Sequence, residues 1–302
     1  MPESPSLLIL AAGLGSRYGG LKQIEPIGPG GEVIIDYSIY DAVRAGFGKI
    51  VIVTTPALEP LLREHFQKTL GERVEIVFTH QRLDDVPSGF TMPAEREKPW
   101  GTAHAIWAGR EYLRGPFGVI NADDFYGPGS FRVLHDFFVR RSSGDYALVG
   151  FELAKTLSAH GSVSRGLCRT DADGCLIDVT EHTKIEPDSI TGARSWRDGE
   201  WKPVPADSTT SMNMWGFDAS LLPALEEQFR EFLKTEGTQP KSEFFIPTVI
   251  DAMIKKGQCR CKVLPTDERW FGVTYREDRA EAAETLGRLV TSGTYPLSLK
   301  AR

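Results

Sequence analysis

The sequence is poor in cysteine and has no long apolar run. Its few cysteines have neither the spacing of zinc ligands nor the density of a disulfide framework in a chain of 302 residues; they are Cys168, Cys175, Cys259 and Cys261. The N-terminus lacks a basic region, and the apolar run at residues 7–10 is too short for a signal or membrane-spanning segment. We therefore expect a reduced, cytoplasmic protein with no membrane partner.

An excess of positive charge is also lacking. The formal net charge is -6 and the isoelectric point is about 5.6, which argues against a nucleic-acid-binding surface and leaves room only for a local basic pocket that binds phosphate. Internal repeats and low-complexity tracts are absent from the sequence. A length of 302 residues with 41% hydrophobic residues suits one large α/β domain with a sizeable core.

Two familiar phosphate motifs are missing from the glycine-rich stretch at residues 7–23. The dinucleotide fingerprint requires glycine where Tyr18 stands, and the P-loop requires its lysine one place before Lys22 with a hydroxyl residue after it. The stretch nevertheless begins as an apolar run and continues into a loop with several glycines and two cations, Arg17 and Lys22. That pattern predicts a buried strand that leads into a phosphate-binding loop; the alternative is an ordinary turn between strand and helix.

Strand-like apolar runs alternate with helical segments through the first half of the chain. Residues 49–54 and 74–78 are predicted strands, and residues 60–70 are a predicted helix that ends at Gly71. Such alternation predicts an α/β fold with a doubly wound, mostly parallel, Rossmann-like sheet. Ligands of such sheets bind at the carboxyl ends of the strands, which is where the glycine-rich loop begins.

A second polar cluster follows the apolar run at residues 117–120. It contains two carboxylates, Asp123 and Asp124, which are expected at the same edge of the sheet as the glycine-rich loop. Mg²⁺ prefers hard oxygen ligands and is held by one or two carboxylates together with substrate phosphates. We therefore predict a Mg²⁺ site with Asp123 as the main ligand and Asp124 as the second candidate; the alternative is that both carboxylates cap the next turn.

The residues from Ala11 through Arg17, followed after a short spacer by Lys22-Gln23-Ile24-Glu25-Pro26-Ile27, resemble the signature of the sugar-phosphate nucleotidyltransferases. The glucose-1-phosphate thymidylyl- and uridylyltransferases are the most similar members. The resemblance implies a Rossmann-like sheet of the nucleotide-diphospho-sugar transferase type, whose loop wraps an NTP. It makes Arg17 and Lys22 catalytic contacts to the phosphates. The implied nucleotide-binding residues of this stretch are Leu10, Ala11, Ala12, Gly13, Gly15 and Ser16.

The resemblance also implies where the base binds. A glutamine after the third strand hydrogen-bonds the base in that family, and Gln81 occupies this place; the alternative is a solvated loop residue. The family's next motif is Gly-Thr-Ala, which here begins at Gly101 after a polar insertion at residues 84–98. Without a side chain, Gly101 would let a base lie against the backbone, and Thr102 would begin a helix. His104, in the first turn of that helix, is assigned no role.

The metal site departs from the family pattern. The family's Mg²⁺-binding aspartate follows a glycine, whereas Asp123 follows an alanine. In many members a second aspartate, within a Trp-x-Asp-Val-Gly-Thr segment, completes the site, but Gly272 stands at that position here. Either Asp124, Asp267, another group or water completes the site, or the second carboxylate is dispensable, or activity is lost.

Two predicted hairpins in the second half of the chain indicate a small β-rich, sugar-binding insertion. The first leads into a segment resembling the family's Glu-Lys-Pro, which contacts the sugar phosphate. Glu181 and Lys184 match it, although two residues separate them and no proline follows directly; a surface ion pair is the alternative for Lys184. Asn213 matches the family's Asn-x-Gly strand beside the sugar, with Trp215 in place of the glycine; the alternative is a strand-end asparagine.

These features predict one nucleotidyltransferase domain over residues 1–302, with a nucleotide-binding half at 1–150 and a sugar-binding half at 151–302. The predicted reaction joins an NTP, with a pyrimidine base favoured, to a sugar 1-phosphate and yields an NDP-sugar and pyrophosphate, with Mg²⁺ as cofactor. The alternatives are a cytidylyltransferase acting on a polyol, isoprenoid or choline phosphate, and a non-catalytic nucleotide or sugar sensor. Whether the protein forms a homo-oligomer is left open.

Overall fold

A computed structural model describes residues 4–13, 26–71, 74–272 and 278–300. The strands of these residues are β1 (Ser6–Leu10), β2 (Lys49–Thr54), β3 (Ile76–His80), β4 (Phe117–Asn121), β5 (Asp124–Phe125), β6 (Asp145–Glu152), β7 (Val163–Thr170), β8 (Leu176–Asp188), β9 (Gly192–Arg197), β10 (Glu200–Pro205), β11 (Thr209–Phe217), β12 (Arg260–Pro265) and β13 (Phe271–Gly272). The helices are α1 (Ile34–Ala45), α2 (Glu59–Thr69), α3 (Thr102–Gly109), α4 (Pro128–Arg140), α5 (Leu221–Thr235), α6 (Ile246–Lys255) and α7 (Asp278–Thr291).

Most of these strands join one eleven-stranded sheet within the described residues. Its central part runs in the order β3-β2-β1-β4-β11-β6-β12, and every strand of that part is parallel to the others except β11. Parallel neighbours need crossover connections, which the helices supply. The expected doubly wound, mostly parallel α/β fold is confirmed.

Helices cover both faces of this sheet. Alternate residues of β1 belong to different clusters: Leu7 and Ile9 pack on the side of α1, α2, α4 and α7, whereas Leu8 packs on the side of α3, α5 and α6. A strand buried on both faces must be apolar at every position, which explains its continuous apolar run. No helix among the described residues combines the length and the apolar character needed to span a membrane.

The β-rich insertion is a branch of the same sheet. Strands β7, β8, β9 and β10 pair in antiparallel succession, and β7 joins the first part of β11. The second hairpin turns at Asp198 and Gly199, whose φ angles of 55° and 83° are those of the predicted Asp-Gly turn. A separate two-stranded ladder pairs β5 with β13 and sets Gly272 opposite Asp124.

The bounds of one predicted strand differ in the structure, because its pairing with a neighbouring strand determines them. Strand β3 begins at Ile76 and ends at His80, rather than spanning residues 74–78, because it pairs with β2 from Ile50 to Thr54. The division of the chain at residue 150 stays a prediction; this residue lies within β6.

Two glycines lie side by side where α4 crosses the sheet. Gly118 of β4 is paired with Gly216 of β11. A Cβ on Gly216 would lie 2.6 Å from Cδ1 of Leu134, and a Cβ on Gly118 would lie 3.1 Å from its Cδ2. Leu134 is fully buried and packed on other sides, so it has little room to move away. The glycine pair therefore lets α4 pack closely on the sheet.

We expect Gly216→Val to lower the free energy of unfolding by about 1–3 kcal/mol, because the added methyl groups overpack the contact with Leu134. Denaturant titration measures the change. Gly287→Ala in α7 is the matched control, since a Cβ there would meet no heavy atom within 4 Å. The control is expected to be neutral or slightly stabilising, and equal stability of the Gly216→Val variant and wild type would contradict the packing argument.

Candidate functional site

A cavity of about 440 Å³ opens at the carboxyl ends of β1 and β4, beside the N-terminus of α3. Leu10 ends β1, and its carbonyl oxygen accepts a hydrogen bond of 3.1 Å from the N–H of Ala122, which follows β4. The cavity therefore lies at the edge where ligands of parallel sheets bind. Its lining includes many of the predicted site residues, namely Leu10, Ala12, Gly13, Gln81, Gly101, Thr102 and Asp123.

One further residue predicted to bind the nucleotide, Ala11, does not line this cavity. Ala11 is buried in the cluster on the opposite face of the sheet. Its N–H donates to the Val53 carbonyl at 2.7 Å, so it fixes the end of β1. The remaining predicted residues of the glycine-rich loop lie outside the described residues; they are Gly15, Ser16, Arg17 and Lys22.

Gly101, just before α3, has a conformation that favours glycine. Its φ is 106°, and a Cβ there would lie 2.5 Å from the carbonyl oxygen of Phe244. That carbonyl accepts a hydrogen bond of 3.0 Å from the Ala103 N–H, and the Ile246 N–H donates to Thr102 Oγ1 at 3.1 Å. The close approach of the segment before α6 thus requires glycine, which is a reason that the local sequence does not reveal.

Gln81 follows β3 directly and is held by the first turn of α3. Its Nε2 lies 2.9 Å from the Gly101 carbonyl oxygen and 3.2 Å from His104 Nδ1. The other ring nitrogen of His104 lies 2.9 Å from the carbonyl oxygen of Asp85. Burial lowers the pKa of His104 to about 4, so the imidazole is neutral at physiological pH.

The polar insertion at residues 84–98 is anchored to the segment before α6. The guanidinium of Arg96, a buried residue, lies 3.4 Å from the centroid of the Trp100 ring and donates to the Ser242 carbonyl at 2.6 Å. Burying a cation requires such partners, and here they join two segments that are distant in sequence. The insertion is therefore part of the folded domain and forms one wall of the cavity.

Three further polar residues line the cavity that the sequence analysis did not identify: Lys98, Asn121 and Glu243. Lys98 Nζ lies 2.7 Å from Glu243 Oε2, which places a cation and a carboxylate on the wall formed by the insertion and the segment before α6. The tertiary contact between the insertion and the segment before α6 brings this pair together, so sequence spacing gave no signal for it. Asn121 ends the same strand that precedes Asp123 and could have been found as a polar residue at a strand end.

The two predicted metal carboxylates have different surroundings. Asp123 lines the cavity, and none of the hydrogen bonds between described residues uses its carboxylate. Asp124 is buried, and its Oδ2 accepts a hydrogen bond of 2.9 Å from Asn121 Nδ2 and lies 3.3 Å from the Tyr126 hydroxyl. Burial, followed by the nearby charge of Asp123, raises the pKa of Asp124 to about 7.

A chain of hydrogen bonds connects Asp124 to β11. Trp215 Nε1 donates to Asn213 Oδ1 at 2.9 Å, Asn213 Nδ2 donates to Asn121 Oδ1 at 2.7 Å, and Asn121 then donates to Asp124. Because the indole can only donate, it fixes the orientation of both amides. Asn213 has a φ of 60°, where the pairing of β11 is irregular between Ser211 and Trp215. Both the nitrogen and the oxygen of the Asn213 amide are thus hydrogen-bonded within the protein.

Gly272 makes room for Asp124. The β5–β13 ladder sets these two residues opposite each other, and a Cβ on Gly272 would lie 2.7 Å from Asp124 Oδ1. An aspartate at position 272 would therefore compete with the Asp124 carboxylate for the same space. Glycine at position 272 thus leaves room for the carboxylate of Asp124 opposite it.

The described residues contain no group of three or more His, Cys, Asp or Glu side chains arranged to hold a metal ion. They offer the Asp123 carboxylate on the cavity, whereas Asp124, to whose Oδ1 no described residue donates, is not among the lining residues and has this oxygen beside Gly272. One or two carboxylates suit Mg²⁺, which completes its coordination with water and phosphate oxygens. The donor set therefore fits Mg²⁺ bound together with a phosphate ligand.

The residues predicted for the sugar phosphate lie on the β-rich branch. Val179, two places before Glu181 on β8, packs in the cluster on the side of α3, so Glu181 points to the face of the sheet that carries the cavity. Burial raises the pKa of Glu181, and the charge of Arg165 opposes this shift. Lys184 is exposed, and its Nζ lies 5.0 Å from the Trp201 ring centroid, a cation–π contact.

We expect Gly272→Ala to weaken the binding of Mn²⁺, used in place of Mg²⁺, by about tenfold or more, because the new Cβ displaces the Asp124 carboxylate. Electron paramagnetic resonance of free Mn²⁺ measures the affinity, and Gly287→Ala is again the control. An unchanged Mn²⁺ affinity in Gly272→Ala would show that Asp124 takes no part in the site.

The buried His104 predicts an acid-sensitive stability. Its pKa is about 4 in the folded chain and about 6.5 when unfolded, so the unfolded state binds more protons between these values. The stability that depends on a neutral His104 is fully present above pH 6.5 and is lost as the pH falls through 4. The free energy of unfolding of wild type should rise between pH 4 and 6.5 more steeply than that of His104→Phe, by up to about 1.4 kcal/mol per pH unit. Parallel pH profiles in urea titrations would contradict this.

The family model described as nucleotidyl transferase matches residues 6–185, which include β1, Gln81, α3 and the Asp123 segment. No curated protein matches the chain.

Solved structures share the architecture. The inositol-1-phosphate CTP transferase from T. maritima aligns with a TM-score of 0.62 and 13% identity, covering 95% of this chain and 96% of that chain. A UDP-glucose pyrophosphorylase complexed with UDP-glucose aligns with a TM-score of 0.61 and 15% identity, covering 95% of this chain and 99% of that chain. At these identities the likeness shows the fold.

Proposed function

The chain belongs to the nucleotidyl transferase family, and from this premise we propose that it transfers the nucleoside monophosphate of an NTP to a sugar 1-phosphate. The products are an NDP-sugar and pyrophosphate, and a pyrimidine nucleotide is favoured. The observation that carries the proposal is the cavity at the carboxyl edge of the sheet, where the start of the glycine-rich loop and the Asp123 carboxylate meet.

The proposed step is an in-line displacement. An oxygen of the sugar 1-phosphate attacks the α-phosphorus of the NTP, a new P–O bond forms, and the bond to the bridging oxygen of the β-phosphate breaks. Pyrophosphate leaves with the electron pair of that bond. The attacking phosphate is already anionic, so no general base is needed, and the work of the protein is alignment and charge stabilisation.

Asp123 is the residue that would hold Mg²⁺, with Asp124 as the second carboxylate in place of an aspartate at position 272. The metal, when bound, would neutralise negative charge on the phosphates. Arg17 would stabilise the leaving pyrophosphate, and Lys22 would lie between the α-phosphate and the nucleophile; both belong to the loop outside the described residues.

The other predicted residues would position the two substrates. Gln81, Gly101 and Thr102 would contact the base, supported by their common place on the cavity. Glu181 would accept hydrogen bonds from sugar hydroxyls, and Lys184 and Asn213 would contact the sugar phosphate. Lys184 would have to exchange its cation–π contact for the phosphate, which is a charge interaction of greater strength.

Two alternatives remain for the same cavity. A cytidylyltransferase acting on a polyol, isoprenoid or choline phosphate would use the same fold, and the T. maritima protein, by its description, uses CTP and inositol 1-phosphate. A non-catalytic nucleotide or sugar sensor is favoured by Gly272 alone.

Pyrophosphate release with Mg²⁺, measured across the common NTPs and a panel of sugar 1-phosphates, tests the proposal. One active combination would establish the reaction and name both substrates. Activity confined to CTP with a polyol, isoprenoid or choline phosphate would favour the first alternative. Nucleotide binding without turnover on any acceptor would favour the sensor.

We expect Lys22→Ala and Asp123→Asn each to lower the turnover number by ~10²–10³-fold, because each removes a charge contact made in the transition state. The matched controls are Lys255→Ala and Asp136→Asn, which change exposed charges on α6 and α4 and should retain activity. Near-full turnover of Lys22→Ala would exclude its assigned role.

A further inference from the structure

The Gln81 amide has its two donors satisfied within the protein. Its Nε2 lies 2.9 Å from the Gly101 carbonyl oxygen and 3.2 Å from His104 Nδ1. A primary amide has two N–H groups, so both are used by these neighbours. No described residue donates to Gln81 Oε1, which leaves that oxygen for a ligand in the cavity that Gln81 lines.

Two acceptors fix this orientation independently. The Gly101 carbonyl can only accept, so the nitrogen of the Gln81 amide must face it. The Asp85 carbonyl oxygen, 2.9 Å from His104 Nε2, can also only accept, so the proton of the neutral imidazole is on Nε2. His104 Nδ1 is then an acceptor and requires the second N–H of Gln81.

His104 has little freedom to turn away from Gln81. It is wholly buried on α3, and its ring centroid lies 5.1 Å from that of Phe229. The side chain of Asp85 is itself held by hydrogen bonds of 2.8 and 3.0 Å from Arg110. Burial lowers the pKa of His104 and keeps the ring neutral; the hydrogen bond to Asp85 and its charge oppose this shift, and the charge of Arg110 partly offsets them. The polar insertion, through Asp85, thus sets the tautomer that orients Gln81.

We propose that His104 is a positioning residue that locks Gln81 with only its carbonyl oxygen toward the base, so that the cavity selects a base with an N–H group at that point. The inference rests on the proposed function, since it takes the cavity to hold a nucleotide. A glutamine free to rotate offers either a donor or an acceptor, whereas a locked one offers only the acceptor. A fixed hydrogen-bonding group discriminates strongly against a ligand that lacks its partner.

The choice of test nucleotides follows from base chemistry. Uracil carries a hydrogen on N3 where cytosine has a lone pair, and it has an oxygen at position 4 where cytosine has an amino group. Guanine and adenine differ in the same way at N1 and position 6. Within each pair, one member presents N–H and the other a lone pair at a given contact point.

Calorimetry with the full chain and Mg²⁺ compares uridine with cytidine triphosphate, and guanosine with adenosine triphosphate. Of the pair of nucleotides that it binds, wild type is expected to bind one member with an affinity at least ~10-fold higher than the other. In His104→Phe the preference should fall by about tenfold, because the amide can rotate and donate to the other base. Ile106→Val, also buried on α3, is the matched control and should leave the preference unchanged.

A double-mutant cycle separates positioning from a general effect of α3. Gln81→Met removes the amide and should lower the preference, and adding His104→Phe to it should have no further effect on the preference. Additive effects would assign His104 a structural role and overturn the inference. Equal binding of both members by wild type would also overturn it, even if a variant fails to fold. Failure of every NTP to bind would overturn the proposed function instead.

Discussion

The parallel pairing of β1 between β2 and β4 is the constraint on which the rest of the structure depends. Leu10, the last residue of β1, pairs with Val53 on one side and with Asn121 on the other, so the three strands end level. Because both faces of β1 are buried, its register cannot shift without exposing apolar side chains. The start of the glycine-rich loop, Gln81 after β3 and Asp123 after β4 therefore lie at one edge of the sheet, where the cavity opens.

Around that edge, buried polar groups are satisfied by residues that are far apart in sequence. The chain from Trp215 through Asn213 and Asn121 ends at the Asp124 carboxylate, and each amide in it has only one orientation that satisfies its neighbours. A network of this kind is stable only when it is complete, and a side chain at Gly272 would contact the carboxylate at its end. The space that a side chain at position 272 would need is thus occupied by the Asp124 carboxylate.

The sequence predicted what local patterns determine. The apolar run of β1, the place of Asp123 after β4 and the Asp-Gly turn at Asp198 and Gly199 depend on neighbouring residues, and the structure has each where it was expected. The contributions of Lys98 and Glu243 could not be predicted, because tertiary packing alone brings their segments together. The contacts of His104 with Gln81 and Asp85 could not be predicted either, because they also depend on tertiary packing.

The central claim, that the cavity at the carboxyl edge holds the nucleotide, is tested most directly by amide hydrogen exchange with and without an NTP and Mg²⁺. The account predicts that exchange slows in segments 12–13, 98–102 and 121–123, which contribute to the cavity, and stays unchanged at residues 143–145 and 257–261, which line a separate depression. Protection confined to the second set, with none at the first, would contradict the account.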